Sequence, residues 1–283
     1  GVITEAWMRL QDRPVHRASF VAHFATFTDA ARGARDLVQS GLWPQNCRVI
    51  DATEAWLTGA GDGTSHLLLV SFESAHYPVT DRVPLALEIV RSCGGEVDER
   101  VAAKPPEDSD GGRDGDGGSG ADESDRWRST FLRAPYIRDG LVRLGLVNET
   151  FESAITWDRF DDFVNGVRDA VTSALVEAGC GPTPIVTCRL THVYPDGAAP
   201  YFTVIAPGGA GLDRLRQWDS VKEAAMEAIG RLGGTVTHHH AVGRDHRPGY
   251  DRQRPDLFAD AFRSAKRAVD PGSILNPGVL IDP

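Results

Sequence analysis

The sequence predicts an α+β fold, an antiparallel sheet with helices packed on one face, laid out as a ferredoxin-like repeat. Three observations predict it. Short runs rich in Val, Ile, Thr and Phe alternate with longer segments whose apolar residues recur every three or four positions. The order strand, helix, strand, strand, helix occurs twice, on either side of a polar stretch. Neither a GxGxxG string after a strand nor a GxxxxGK[ST] string is present, so the chain shows no pyrophosphate cradle of its own.

The elements follow in order. "ASFVAHFA" (18–25) reads as a strand and "FTDAARGARDLVQSG" (27–41) as a helix. "CRVIDA" (47–52) and "HLLLVSFE" (66–73) are strands, and "VPLALEIVRSCGG" (83–95) is a helix that ends in glycines. In the second half "ESAITW" (152–157) is a strand, and Asp158 to about Ala178 is a helix. "PIVTCRLTHVY" (184–194) and "PYFTVIAP" (200–207) are strands, and Leu212 to Leu232 is a helix. "DPGSILNPG" (270–278) ends the last helix, with Pro271, Gly272, Pro277 and Gly278 supplying turn chemistry.

Between the halves, residues 105–125 carry Gly, Asp, Ser and Pro and no large apolar side chain, so they cannot offset their ordering entropy by burial. This acidic insert is expected to be disordered. From 107 to 125 it holds eight acids and one Arg, a net −7 of the chain's −10. Asp114 and Asp116 have the spacing that opens a calcium loop, but Gly118 stands at the next ligand position and Ser119 where glycine is needed. A solvated insert is the plainer reading.

The bulk numbers exclude several classes. With 283 residues, 41% hydrophobic and 25% charged, the chain is an ordinary globular one. It has no basic stripe, which argues against nucleic acid as a partner. No run approaches the roughly 18 apolar residues of a membrane span. Four widely spaced cysteines, Cys47, Cys93, Cys180 and Cys188, read as reduced core thiols of a cytosolic protein. The opening "GVITEAWMRL" has no initiator Met and no leader, so the chain is expected to be a C-terminal fragment with partner residues upstream.

The strongest chemical signal is "THHHAVGRDH" (237–246). On a strand, His238 and His240 would share a face and His239 would oppose them. Three readings stand. A zinc site lacks a third ligand, since no HExxH or cysteine is near. A catalytic or cofactor-contacting cluster would use neutral imidazoles to move protons. Histidines at a surface turn are the third. His192, expected on one face with Leu190 and Tyr194, reads as packing.

Several strings together resemble a known family. "GVITEAWMRL", "HHHAVGRDH" and "AFRSAKRAVDPGSILNPG" are similar to the C-terminal part of FAD-linked proteins of the vanillyl-alcohol-oxidase superfamily. More narrowly, "APYIRDGL", "ETFESAITWDRF", "TCRLTHVYPDGAAPYF" and "HHHAVG" resemble the alkyldihydroxyacetonephosphate synthases. The resemblance implies the FAD-linked oxidase C-terminal fold and FAD as cofactor, with no metal. It implies a junction at 1–15, a cap or substrate domain at 16–236 and a return segment to the flavin at 237–283. It also implies a separate FAD domain upstream of Gly1.

Residue by residue, it makes Tyr201 a proton donor or acceptor beside the triplet His238, His239 and His240. Arg138 and Arg48 become substrate-binding cations, each with a surface ion pair as the plainer alternative, because a planar guanidinium suits a phosphate. Arg189 becomes either a site-lining residue or a structural salt bridge. Ile3, Glu5, His240 and Asn276 become cofactor contacts. The implied reaction exchanges the acyl group on dihydroxyacetone phosphate for a fatty alcohol in ether-lipid synthesis, without net redox change. "ILNPG" departs toward the hydroxy-acid oxidases, so oxidation of a 2-hydroxy acid or alcohol is the alternative. Expected partners are a small-molecule or lipid-like substrate, the upstream domain and a second copy in a homodimer. The expected location is cytoplasmic, with membrane association open.

Overall fold

The computed structural model describes residues 2–97 and 136–282. The acidic insert at 105–125, with its calcium reading, lies outside the described residues. The first half comprises β1 (His16–Phe24), α1 (Phe27–Gln39), β2 (Asn46–Ile50), α2 (Ala52–Leu57), β3 (His66–Ser74), α3 (Arg82–Ser92) and β4 (Glu96–Val97). A helix at 136–143, α4, precedes the second half. That half comprises β5 (Leu146–Glu152), β6 (Ile155–Thr156), a 3-10 turn (Trp157–Arg159), α5 (Phe160–Glu177), β7 (Ile185–Val193), β8 (Gly197–Pro207) and α6 (Leu212–Leu232). Helices α7 (Arg247–Gln253) and α8 (Asp256–Val269) follow.

One antiparallel sheet runs β4-β1-β3-β2-β7-β8-β5, with β6 added to β8. The halves meet where Val49 pairs with Leu190 and Ile50 with Arg189, so β2 and β7 make the sheet continuous. The repeat predicted from the sequence is present. Alternation explains the strands: β1 buries every second residue from Ala18 to Phe24. Spacing and caps explain the helices. In α1, Ala30, Ala34 and Leu37 are buried, and the Thr26 hydroxyl accepts the Asp29 N–H at 3.1 Å. The four longer helices of the two repeats, α1, α3, α5 and α6, cover one face around Phe24, Phe72, Phe151 and Phe202. All four cysteines are buried and unbridged.

Two expectations need correction. The strand expected at 152–157 is not one strand: β5 lies earlier and ends at Glu152, and only the short β6 falls inside that range. The chain breaks at Ser153 and Ala154, where the Ser153 hydroxyl donates to the Thr235 carbonyl at 2.7 Å and the Ala154 N–H donates to the Thr235 hydroxyl at 3.0 Å. Helices on one face describes the long helices only. The short α2 lies on the other face, where Ala55 packs with Ile50, Leu67 and Leu69. Asp51 starts it by accepting the Thr53 N–H at 2.9 Å.

The turn from β7 to β8 is tight. The Tyr194 N–H donates to the Gly197 carbonyl at 2.8 Å, and a Cβ on Gly197 would lie 2.4 Å from the Ile155 carbonyl oxygen. That neighbour is backbone and cannot rotate away. Gly197→Ala is expected to cost about 1–3 kcal/mol by overpacking, read as a lower denaturation midpoint at unchanged m-value.

Candidate active site

The sheet face opposite the long helices collects the polar groups. Arg48 lies two residues from Ile50, which pairs with Arg189, which pairs with Tyr201, so all four share this face. Glu152 joins them through its own pairing with Tyr201.

Tyr201 is held from two sides. The Arg189 guanidinium lies 3.7 Å from its ring centroid, and the His240 imidazole meets the ring edge-on at 5.4 Å. Arg189 is ion-paired to Glu54, which is only 2% exposed. The other oxygen of Glu54 accepts the Thr187 hydroxyl at 2.7 Å. Arg189 is thus a buried ion pair whose guanidinium also floors the phenol ring.

The histidine run is not a strand, which corrects the alternation of faces. Glu152, buried at 1% exposure, curls it: one oxygen, Oε1, accepts the backbone N–H groups of His238, His239 and His240, at 2.7 Å from the first and third. The Thr237 hydroxyl closes the bend by donating to the His240 carbonyl at 2.6 Å. Side chains on a bend diverge. His238 and His239 both bring Nε2 to the Tyr194 hydroxyl, at 3.2 and 3.0 Å, while His240 alone turns to Tyr201. Burial acts to raise the Glu152 carboxyl, but the N–H groups of His240, His238 and His239 outweigh it and hold it below its ordinary value. Burial lowers His240, outweighing the charge of Glu152, so this imidazole favours its neutral form.

His192 also departs from expectation. A bulge between Leu190 and His192 rotates it away from the buried face of Leu190. Leu190 pairs with Pro200, which has no N–H to give the ladder. His192 is exposed and its ring lies 4.0 Å from that of His239. Burial and then the charge of His239 lower its pKa.

Arg48 is half-buried, and burial followed by the charge of Arg189 lowers its pKa. Among the described residues no carboxylate pairs with it. Arg138 stands elsewhere, exposed on α4 and paired with Asp139 at 3.1 Å. It lines a recess with Asn148, Glu149 and Trp218, away from Tyr201. Ile3 and Glu5 are exposed in a segment without secondary structure. Asn276 is exposed in the turn after α8, at φ +49. The structure thus gathers Tyr201, His238, His239, His240, Arg189 and Arg48, and leaves Arg138, Ile3, Glu5 and Asn276 apart. Sequence reasoning missed Glu152, Glu54 and Tyr194 as members. For Glu152 a signal exists, a lone carboxylate at the end of an alternating strand. For Tyr194 there is none beyond its nearness to Tyr201.

Fold and site define a class, α+β domains whose long helices cover one sheet face and whose other face carries a phenol, imidazoles and guanidinium groups. The chain belongs to the family described as FAD linked oxidases, C-terminal domain, which matches residues 13–280. Over 162 residues it is 29% identical to alkyldihydroxyacetonephosphate synthase of Trypanosoma brucei brucei, covering 57% of this chain and 26% of that protein. Over 287 residues it is 22% identical to glycolate oxidase subunit GlcD of Bacillus subtilis (strain 168), covering 99% and 54%. A solved structure of an alkyldihydroxyacetonephosphate synthase shares the fold at TM-score 0.65 and 17% identity, covering 93% of this chain and 44% of that one. The chain therefore spans about half, or less, of the proteins it matches. The family is FAD-linked, and FAD is its cofactor. No helix among the described residues is long and apolar enough to cross a membrane.

Proposed function

We propose that this chain is the C-terminal catalytic part of an FAD-dependent enzyme that exchanges acyl for alkyl on dihydroxyacetone phosphate. The observation that carries the reading is the pairing of a clamped phenol with a free cation on one face. Tyr201 is fixed between Arg189 and His240, and Arg48 has no carboxylate partner among the described residues. An unpaired, half-buried guanidinium suits a phosphate. The similarity to a synthase of that name supports the same reading.

Of the expected cofactor contacts, His240 lies against Tyr201, which supports this reading, and an imidazole that burial holds toward its neutral form fits beside a planar ring system. FAD, when bound, supplies an electron-accepting ring at the reacting carbon. The chain's own groups bind and titrate: Arg48 holds the phosphate, and Tyr201 with His240 gives or takes a proton at the substrate. Ile3, Trp7, Leu10, Leu257, Val269 and Ile274 are exposed apolar side chains at the two ends of the chain. We assign them to contact with an FAD domain upstream of Gly1.

The second reading, oxidation of a 2-hydroxy acid, rests on the similarity to GlcD over nearly the whole chain. One experiment separates the two. The full-length protein with FAD bound is given acyl-dihydroxyacetone phosphate and a labelled long-chain alcohol, without an electron acceptor. Label in the ether product is expected. No incorporation overturns the synthase, and anaerobic bleaching of the flavin by a 2-hydroxy acid establishes the oxidoreductase instead. In either assay Tyr201→Phe is expected to lower turnover about 10²–10⁴-fold, the usual share of a positioned acid–base group.

A further inference from the structure

We propose that Glu152, His239 and Tyr194 form a proton relay, which makes Tyr194 a second acid–base phenol of the site. The Tyr194 oxygen lies 3.2 Å from His238 Nε2 and 3.0 Å from His239 Nε2. A phenol carries one proton and can donate to only one of them, so the other imidazole must donate to the phenol. The far side of His239 decides which. Its Nδ1 is 3.3 Å from Glu152 Oε2, on a carboxylate whose Oε1 is already occupied by three N–H groups. The carboxylate draws the imidazole proton to Nδ1 and leaves Nε2 bare. Tyr194 therefore donates to His239, and His238 donates its Nε2–H to Tyr194.

A carboxylate, an imidazole and a hydroxyl in succession make up the group that activates a nucleophile in hydrolytic triads, and here the carboxylate and imidazole approach to 3.3 Å. Here the hydroxyl is a phenol at the end of β7, and its backbone is fixed from both sides. The Tyr194 carbonyl accepts the Trp157 indole N–H at 2.9 Å, and its N–H donates to Gly197. Tyr194 and His238 line a cavity of about 520 Å³ with Thr156, Arg159, Asp196 and Thr235. The charged and titratable groups around the relay are Glu152, His238 and His192, with Arg48 acting on His192 and Asp196 on Tyr194. Burial, then Glu152 and Asp196, raise the phenol, which keeps its proton through neutral pH.

The step balances without an oxidant. A weakly acidic C–H or O–H in the cavity gives its proton to the Tyr194 oxygen while Tyr194 passes its own to His239 Nε2. An imidazolium then stands beside the Glu152 carboxylate, and reversal restores the start. The role in turnover rests on the enzymatic reading above; the placement of the protons does not.

Two measurements test the relay. The first uses the full-length protein labelled with ¹⁵N-histidine, the ring nitrogens being assigned with His238→Gln and His239→Gln. At neutral pH His239 is expected as the Nδ1–H tautomer and His238 as the Nε2–H tautomer. His239 protonated on Nε2 overturns the relay, whatever the protein turns over. The second compares wild type with Tyr194→Phe in the assay above. A fall in kcat of about 10²-fold at little-changed KM, with loss of the acid limb of the pH–kcat profile, is expected. A Tyr194→Phe profile that overlays wild type overturns Tyr194 as a proton carrier. A protein that binds no FAD overturns the enzymatic reading, while the tautomers still decide the relay.

Discussion

Glu152→Ala is expected to destabilise the protein by about 2–4 kcal/mol and to release the histidine run from its bend. The wild-type carboxylate is the shared acceptor for three consecutive N–H groups, and its place at the end of β5 brings it to them. Alanine leaves those donors with water alone. His238 and His239 are exposed enough for water to reach them, which keeps the cost below three full desolvation penalties. Glu152→Gln keeps an acceptor oxygen and loses the charge, so about 1–2 kcal/mol is expected. The pH dependence has a definite sign. The folded carboxyl sits below its ordinary 4.5. Its contribution is fully present above that value and is lost as pH falls from there through the folded value. Urea midpoints measured from pH 7 down to pH 3 are expected to fall more steeply in wild type than in Glu152→Gln. Parallel curves would mean that the charge contributes nothing.

The repeat was legible because each half writes its periods plainly, as in β1 and α1. β5 was not, because "LVNETFE" places Glu149 on the helix side of the strand, where a strand reading expects an apolar residue. The structure satisfies that carboxylate with the Lys222 ammonium and the Trp218 indole, each at 2.5 Å, and both come from α6. Lys222 itself is 5% exposed, so this is a buried polar cluster that no local period announces. The join of β2 to β7 links distant segments and has no local signature either. In the site, residue types were legible and directions were not. The alternation rule for His238, His239 and His240 presupposes a strand, and the acceptor that prevents one lies more than 80 residues earlier in the chain. His192 was misplaced because one bulge reverses a face, and Pro200 on the partner strand was the sign of it.

The ion pair beneath Tyr201 allows structure and chemistry to be separated. Glu54→Leu is expected to cost about 3–5 kcal/mol, because it removes the carboxylate from a largely buried ion pair, the Arg189 side chain being 13% exposed. Arg189→Leu is expected to cost a similar amount by stranding Glu54, at 3% side-chain exposure. The double variant Glu54→Leu/Arg189→Leu removes both charges and fills the space with apolar atoms. It is expected to lie well below the sum of the singles, since a buried pair replaced by packing is often close to neutral. A remainder of about 1 kcal/mol is expected, because the Thr187 hydroxyl loses its acceptor. Turnover should not follow stability. In the double variant the Arg189 cation no longer lies over the Tyr201 ring, so the phenol is free to tilt away from His240. Urea denaturation of the four proteins, with kcat measured on each, gives the answer. Recovered stability with persistently low kcat makes Arg189 a positioning residue for the phenol. Recovery of both would reduce it to a salt bridge that any well-packed pair could replace, and Tyr201 would then be held by His240 and the strand alone.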